Sequence, residues 1–130
     1  MLSIISRVGA AGLALAALVS PIVAASATPV GDWQLSTGES RFEISACGEN
    51  TLCAKLTWLS DEARSDDSLN ALLDDYVMQG ATPSGVNTWS GTVNYDGDTY
   101  SGKLTMVDAD SMRLHGCKGI FCKTMELERI

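Results

Sequence analysis

The stretch TWSGTVNYDGDTYSGKLTM, residues 88–106, carries the clearest structural pattern in the sequence. Positions 89, 91, 93 and 95 carry Trp, Gly, Val and Tyr and alternate with Thr, Ser and Asn; the alternation resumes at Tyr100. A period of two residues is typical of a β-strand with one buried face. The intervening Asp96-Gly97-Asp98 supplies residues that favour a tight turn. The stretch therefore predicts a β-hairpin.

The same alternation, broken by short turns, continues in both directions from this hairpin. The pattern is typical of a sandwich or a barrel, and we predict an all-β domain of eight antiparallel strands in up-and-down order, with a closed barrel as the favoured arrangement. One long connection, residues 60–74, separates the third and fourth strands, and residues 69–73 within it suit a helical turn. The predicted strands cover residues 32–36, 41–47, 52–59, 75–80, 87–95, 99–107, 112–117 and 121–129.

Residues 1–27 have the pattern of a secretory signal peptide. Arg7 provides a positive start, residues 8–23 are almost entirely apolar, and Ala25-Ser26-Ala27 is a small-x-small cleavage pattern. The apolar run is shorter than the roughly 20 residues that a membrane span needs. We expect cleavage after Ala27, no membrane anchor afterwards, a barrel domain over residues 28–130, and a periplasmic or secreted location.

The chain is acidic, with a net charge of −7. Removal of Arg7 with the signal peptide makes the mature domain more negative still. A negative surface repels phosphate backbones and anionic lipids. Nucleic acid is therefore not an expected partner.

The four cysteines are expected to form disulfides, since export places them in an oxidising compartment. Zinc is the alternative, but the cysteine spacing is unlike a zinc motif and the chain has one histidine, His115. All four cysteines have outward parity, and each pair flanks the turn of one hairpin. In an up-and-down order these two turns lie at opposite ends of the barrel, which predicts the local pairs Cys47–Cys53 and Cys117–Cys122.

Several motifs resemble known proteins. Gly31-Asp32-Trp33 resembles the G-x-W signature of lipocalin-like barrels. The order of other motifs along the mature chain is similar to domain-of-unknown-function family 2147, exported bacterial proteins without a settled activity. These motifs are Cys47-Gly48, Leu52-Cys53-Ala54-Lys55-Leu56-Thr57-Trp58-Leu59, Trp89-Ser90-Gly91, Tyr95-Asp96-Gly97-Asp98-Thr99-Tyr100, Gly116-Cys117, Cys122 and Arg129.

The resemblance implies a lipocalin-like barrel that is closed at one end by Trp33 beneath Arg129. The predicted strand directions place both residues at that same end. The chain departs from the family in the long connection, which lacks an Asn-Pro and Arg-rich stretch, and in Leu127, where the family usually carries Trp. The opposite end of the barrel is the candidate mouth.

Catalysis has little support in the sequence. There is no nucleophile-elbow motif, phosphate-binding loop or metal-ligand spacing. We interpret His115 as an ordinary surface histidine and the acidic residues of 60–74 as a solvated charge run. We expect no enzyme activity, no cofactor and no bound metal.

Four residues with inward parity lie near the mouth ends of their strands and form the predicted ligand site: Trp58, Tyr95, Tyr100 and Lys123. Aromatic rings with one ammonium suit a small apolar or amphipathic ligand, including one that bears a carboxylate. The alternative is that the rings fill the core and that Lys123 reaches solvent at the rim. Two functions follow: a carrier of a small molecule, or a protein-interaction module such as an inhibitor of an envelope hydrolase.

Overall fold

Eight antiparallel strands form a closed barrel in the computed structural model, which describes residues 28–130. Each strand pairs with the next and the eighth pairs with the first, so the predicted up-and-down barrel is confirmed. The signal peptide predicted for residues 1–27 lies outside the described residues. The strands are β1 (Gly31–Leu35), β2 (Ser40–Gly48), β3 (Thr51–Leu59), β4 (Tyr76–Gly85), β5 (Thr88–Tyr95), β6 (Asp98–Asp108), β7 (Ser111–Lys118) and β8 (Phe121–Arg129).

Strand β4 differs most from its prediction, which ended it at residue 80. The strand continues to Gly85, and its pairing with β5 is irregular between Met78 and Thr82. Gly80 lies within this interval with φ +69°, a left-handed conformation that glycine adopts without strain. This irregular pairing interrupts the period-two alternation of side chains. The sequence pattern therefore predicted the end of β4 at residue 80 instead of at Gly85.

The long connection between β3 and β4 is folded rather than extended. It contains two short helices, α1 (Asp61–Arg64) and α2 (Asp67–Asn70). The side chains of Ser60 and Asp66 cap their N-termini by accepting backbone hydrogen bonds. Ala63 and Leu69 are buried against the barrel core. The connection therefore covers part of one barrel end, and no helix among residues 28–130 is long and apolar enough to cross a membrane.

The barrel interior is filled by inward-facing apolar side chains from all eight strands. The end at which β1 begins is sealed by Trp33, which is fully buried and whose Nε1 donates to the carbonyl of Pro29 at 2.9 Å. The largest fully buried apolar side chains are Trp33, Leu56, Leu59 and Met112.

Trp58 does not point inward as predicted. Along β2 and β3, Arg41 pairs with Trp58 whereas the next residue, Phe42, pairs with Leu56. Thr57 is therefore an extra residue in β3, a β-bulge that reverses the side-chain parity of the residues after it. Trp58 stacks on the outer surface with Arg41 Cζ 4.4 Å from its ring centroid, and Leu59 occupies the interior instead.

Two disulfides fasten two of the hairpins. Cys47 is bonded to Cys53 across β2 and β3, and Cys117 is bonded to Cys122 across β7 and β8. These are the pairs that the outward parity of the cysteines predicted. Their loops are short, so each contributes about 2 kcal/mol by restricting the unfolded chain.

Candidate functional site

A small cavity lies inside the barrel, with a volume of about 50 Å³. Three of the four residues predicted for the ligand site line it: Tyr95, Tyr100 and Lys123. Trp58 does not, because the bulge at Thr57 turns it outward. The other lining residues are apolar or glycine: Leu35, Phe42, Ile44, Ala54, Val77, Met78, Val93, Leu104, Leu114, Gly116, Met125 and Leu127.

A wider depression of about 780 Å³ lies at the end of the barrel where β1 runs into β2. It shares Leu35, Lys123 and Met125 with the interior cavity, so these residues form the floor between the two spaces. We call this depression the mouth. It lies at the barrel end that the strand directions predicted. Its acidic residues are Glu39, Glu62, Asp66, Asp96 and Glu126.

Tyr95 connects the interior to the mouth. Its ring is buried, with its centroid 5.9 Å from that of Phe42. Its hydroxyl lies 3.0 Å from the Ser40 hydroxyl, which is fully buried, and donates to Glu39 Oε2 at 3.3 Å. Burial raises the pKa of Tyr95 above its usual range. The phenol is therefore a neutral hydrogen-bond donor at the boundary between apolar and polar surroundings.

Tyr100 and Lys123 form the other side of the boundary. Lys123 Nζ lies 5.6 Å from the centroid of the Tyr100 ring, in the range of a cation–π contact. Lys123 is exposed, so its ammonium stays at the rim while its stem reaches toward the cavity. Gly116 provides the space for this ring, because a Cβ at Gly116 would lie 3.3 Å from the Cβ of Tyr100.

The folded connection is joined to the opposite rim by hydrogen bonds. Ser68 Oγ lies 2.7 Å from Asp66 Oδ1 and 2.9 Å from Asp96 Oδ1, so one hydroxyl links α2 to the turn between β5 and β6. The hydrogen bond from the Ser68 hydroxyl is the main reason that the pKa of Asp66 is lowered. These hydrogen bonds hold Asp66 and Asp96 in place at the mouth.

The other barrel end is closed as the resemblance to lipocalins implied. Trp33 and Arg129 are paired across β1 and β8, and Arg129 Cζ lies 4.4 Å from the Trp33 ring centroid. This contact covers the base of the barrel, at the end opposite the mouth.

Sequence reasoning missed the acidic character of the mouth. Glu39 and Asp96 lie in turns that the strand order already placed at this end, so a signal was available. Asp66 was interpreted as part of a solvated run, although its side chain caps α2 and contacts Ser68. Only the folded connection brings these carboxylates to the same side of the mouth.

Comparison with known proteins places the chain in a bacterial family. Residues 31–129 match the family described as "Uncharacterized protein conserved in bacteria (DUF2147)". The chain belongs to this family. The match spans all eight strands, from the Gly31 that opens β1 to the Arg129 that closes β8. No curated protein matches the sequence.

Two solved structures are similar to this DUF2147 barrel. Protein HP1028 from Helicobacter pylori, described as belonging to the lipocalin family, has a TM-score of 0.63 and 14% sequence identity, over 81% of this chain and 84% of that chain. A redesigned β-barrel has a TM-score of 0.49 and 14% identity, over 78% of this chain and 90% of that chain. The first similarity shows a lipocalin-like fold for the DUF2147 chain.

Proposed function

We propose that this protein binds a small amphipathic molecule, with the apolar part of the molecule in the barrel interior and its polar head in the mouth. The observation that carries the proposal is the apolar cavity whose floor is shared with the polar mouth. Ligand sites combine apolar walls with a few polar groups in this way. The lipocalin-like fold supports ligand binding in general.

The cavity volume restricts the ligand. At about 50 Å³, the interior is much smaller than the roughly 300–1,000 Å³ of pockets that hold drug-sized molecules. Only a short apolar segment fits without movement of Leu35 or Met125, the residues that separate the cavity from the mouth. A small amphiphile is therefore favoured over a long acyl chain.

The charges at the mouth bear on the head group. The positive charge of Lys123 suggested a ligand that bears a carboxylate. The mouth, however, has more acidic side chains than basic ones. An anionic head next to Lys123 would also be repelled by Glu39, Asp66 and Asp96. We therefore propose a neutral or cationic head group, whose O–H or N–H groups can donate hydrogen bonds to these carboxylates.

The experiment compares octylamine, octanol and octanoate in titrations followed by the methyl resonances of Met78 and Leu114. We expect the amine and the alcohol to shift these interior signals and the acid to bind at least about fivefold more weakly, a difference of about 1 kcal/mol. Lys123→Met should widen the difference between octanol and octanoate, because it weakens binding of octanoate further and leaves binding of octanol unchanged. Lys103→Met, on an exposed position of β6, is the matched control.

Ala54→Leu tests whether binding occurs in the interior. Ala54 lines the cavity, and a leucine there would occupy part of the space while adding only buried apolar atoms. We expect probe binding to be lost while the barrel stays folded, with a stability change within about 1–3 kcal/mol. If no probe shifts an interior resonance of the wild-type protein, the proposed function is wrong.

A protein-interaction role, such as inhibition of an envelope hydrolase, is the second candidate because of one surface feature. Ile120 is 90% exposed and Phe121 is 75% exposed, at the tip of the β7–β8 hairpin. Adjacent exposed apolar side chains on a rigid tip are typical of a contact site. A partner that binds wild type but not the Ile120→Ser/Phe121→Ser variant would support this role.

We further propose that the protein is a binding protein rather than an enzyme and that it resides in an oxidising compartment, the periplasm or the exterior. The two disulfides support that location because such bonds persist there. N-terminal sequencing of the protein from its own cells tests the location, with Thr28 as the expected first residue.

A further inference from the structure

The disulfide between Cys117 and Cys122 has a histidine beside it. His115 Nε2 lies 3.6 Å from Cys117 Sγ, and this nitrogen and both sulfurs lie within 4.8 Å of one another. His115 and Cys122 are exposed, and Cys117 is half-buried. An imidazole and a disulfide therefore meet on the outer surface, where a reagent from solvent reaches them.

The hydrogen bonds of His115 fix the orientation of its ring. Thr124 is its register partner on β8, and Thr124 Oγ1 lies 2.8 Å from His115 Nδ1. When the threonine hydroxyl donates to Nδ1, Nε2 carries a proton and donates it toward Cys117 Sγ. In the imidazolium form both nitrogens donate, and Nε2 again faces the sulfur. Either form directs an N–H donor toward one sulfur of the pair.

Three cations lie near this disulfide, and two of them are in ion pairs, Lys118 with Asp98 and Arg113 with Glu126. Lys103 on β6 is the register partner of His115, and Lys118 follows Cys117 directly. Arg113 precedes His115 on the same face of β7 and is ion-paired with Glu126. Cations and an imidazole next to a cysteine stabilise its thiolate. Cys117 is therefore the sulfur that leaves more readily as a thiolate.

The other disulfide in the chain lacks these features. Cys53 is 6% exposed, and the polar side chain next to Cys47 Sγ is the hydroxyl of Thr51 at 3.8 Å. The chain has a single histidine, so no imidazole accompanies this pair. Cys47 is exposed, as Cys122 is, so the two short hairpin disulfides differ in the burial of their second cysteine and, above all, in the adjacent imidazole.

We propose that the Cys117–Cys122 disulfide is a site of exchange with small external thiols, and that His115 assists it. The external thiolate attacks Cys122 Sγ, the more exposed sulfur, and forms a mixed disulfide there as the Cys117–Cys122 bond breaks. Cys117 leaves with the electron pair; its thiolate takes the Nε2 proton when His115 is the imidazolium and accepts a hydrogen bond from Nε2 when the ring is neutral. A second thiolate then attacks the sulfur of the bound thiol, releasing the Cys122 thiolate and an oxidised thiol dimer.

This site is separate from the proposed ligand site. His115, Cys117 and Cys122 do not line the interior cavity or the mouth. Opening the bond removes the covalent link across the end of the β7–β8 hairpin, where Ile120 and Phe121 are exposed. The proposal stands or falls independently of whether an amphiphile binds.

The experiment incubates folded, oxidised protein with millimolar glutathione, stops the reaction by alkylation, and identifies each cysteine by peptide mass spectrometry. We expect Cys117–Cys122 to open about tenfold faster than Cys47–Cys53, which serves as the internal reference. The mixed disulfide should accumulate on Cys122, with Cys117 recovered as the alkylated thiol. Equal opening of the two disulfides, or a mixed disulfide mainly on Cys117, would overturn the proposal.

The His115→Gln variant tests the role of the imidazole. We expect the opening of Cys117–Cys122 to slow about fivefold and that of Cys47–Cys53 to stay unchanged. Lys103→Gln is the matched control, because it removes a neighbouring charge but leaves the proton donor, and it should slow opening by about twofold or less. If His115→Gln opens as fast as wild type while folded by its NMR spectrum, His115 has no part in the exchange.

Discussion

Arg129 Cζ lies 4.4 Å from the centroid of the Trp33 ring, at the end of the barrel opposite the mouth. The guanidinium also donates to the carbonyls of Ala109 at 3.0 Å, Val30 at 3.0 Å and Thr28 at 2.7 Å. One side chain therefore joins the start of β1, the turn before β7 and the end of β8. The base of the barrel depends on this residue.

Arg129→Met is expected to lower the free energy of unfolding by about 2 kcal/mol. The change removes a cation–π contact and leaves three carbonyls without their charged donor. Urea unfolding followed by far-UV circular dichroism measures the loss. Arg113→Met is the control, since its ion pair with Glu126 is exposed and such pairs contribute about 0–1 kcal/mol. Equal losses in the two variants would contradict the closure role.

Tyr95→Phe is expected to lower the free energy of unfolding by about 1–3 kcal/mol. The variant keeps the ring against Phe42 but leaves the fully buried Ser40 hydroxyl without its partner. Ser40→Ala in the same background removes the stranded hydroxyl and should recover part of the loss. A double-mutant cycle by urea unfolding measures the coupling energy between Tyr95 and Ser40. Additive losses of stability would show that the two hydroxyls do not interact.

Tyr95 also predicts how stability responds to alkaline pH. Its pKa is raised in the folded state, chiefly by burial, so the native protein holds this proton more tightly than the unfolded chain. The contribution to stability is complete below about pH 10, the pKa of an unfolded tyrosine, and is lost as pH rises toward the raised value. The Tyr95→Phe variant should lose less stability than wild type above pH 10. A parallel decline of both proteins would contradict the assignment.

The ion pair between Lys118 and Asp98 predicts a second titration. The hydrogen bond and charge of Lys118 hold the pKa of Asp98 below its usual value, and Asp98 raises the pKa of Lys118 in return. The Asp98 contribution to stability is thus present above about pH 3.9 and is lost as pH falls through its lowered pKa. Both groups are exposed, so the effect on stability is small.

Lys118→Gln should therefore return the pKa of Asp98 toward its usual value. Carboxyl-detected NMR across acidic pH measures the midpoint directly. Lys103→Gln, which lies on another exposed position of β6, should leave the midpoint unchanged. An unshifted midpoint in Lys118→Gln would show that the ion pair does not persist in solution.

Strand order and disulfide pairing were predictable from the sequence because alternation and turn residues specify them locally, whereas the closure of β1 on β8 was implied by the resemblance to lipocalin-like barrels. The sequence also predicted correctly that three side chains face the cavity: Tyr95, Tyr100 and Lys123. No bulge interrupts their strands between the nearest turn and these residues, so the alternation of faces holds there. The acidic side of the mouth was not predicted, because it depends on the connection at 60–74 folding back through Ser68. That contact joins residues far apart in sequence and leaves no periodic signal.

The predicted inward position of Trp58 was wrong, because assigning alternate residues to opposite faces assumes a strand without a bulge. The Leu-x-Trp spacing of Leu56 and Trp58 gives both residues the same face unless an extra residue is inserted. Thr57 is that residue, and its hydroxyl donates to the carbonyl of Arg41 at 3.2 Å. A threonine in a strand is ordinary, so nothing in the sequence distinguishes a bulge from a regular pair.

The bulge predicts that Leu59 contributes more to stability than Trp58, whereas a regular strand would predict the opposite order. Leu59 is fully buried, whereas Trp58 lies on the outer surface against Arg41. Leu59→Ala should lower the free energy of unfolding by about 2–5 kcal/mol, because it leaves a cavity in the core. Trp58→Ala should cost less than about 2 kcal/mol, since it loses a partly exposed stack. Urea unfolding of the two variants measures the order directly, and a greater loss for Trp58→Ala would place the indole inside the barrel and remove the bulge from β3.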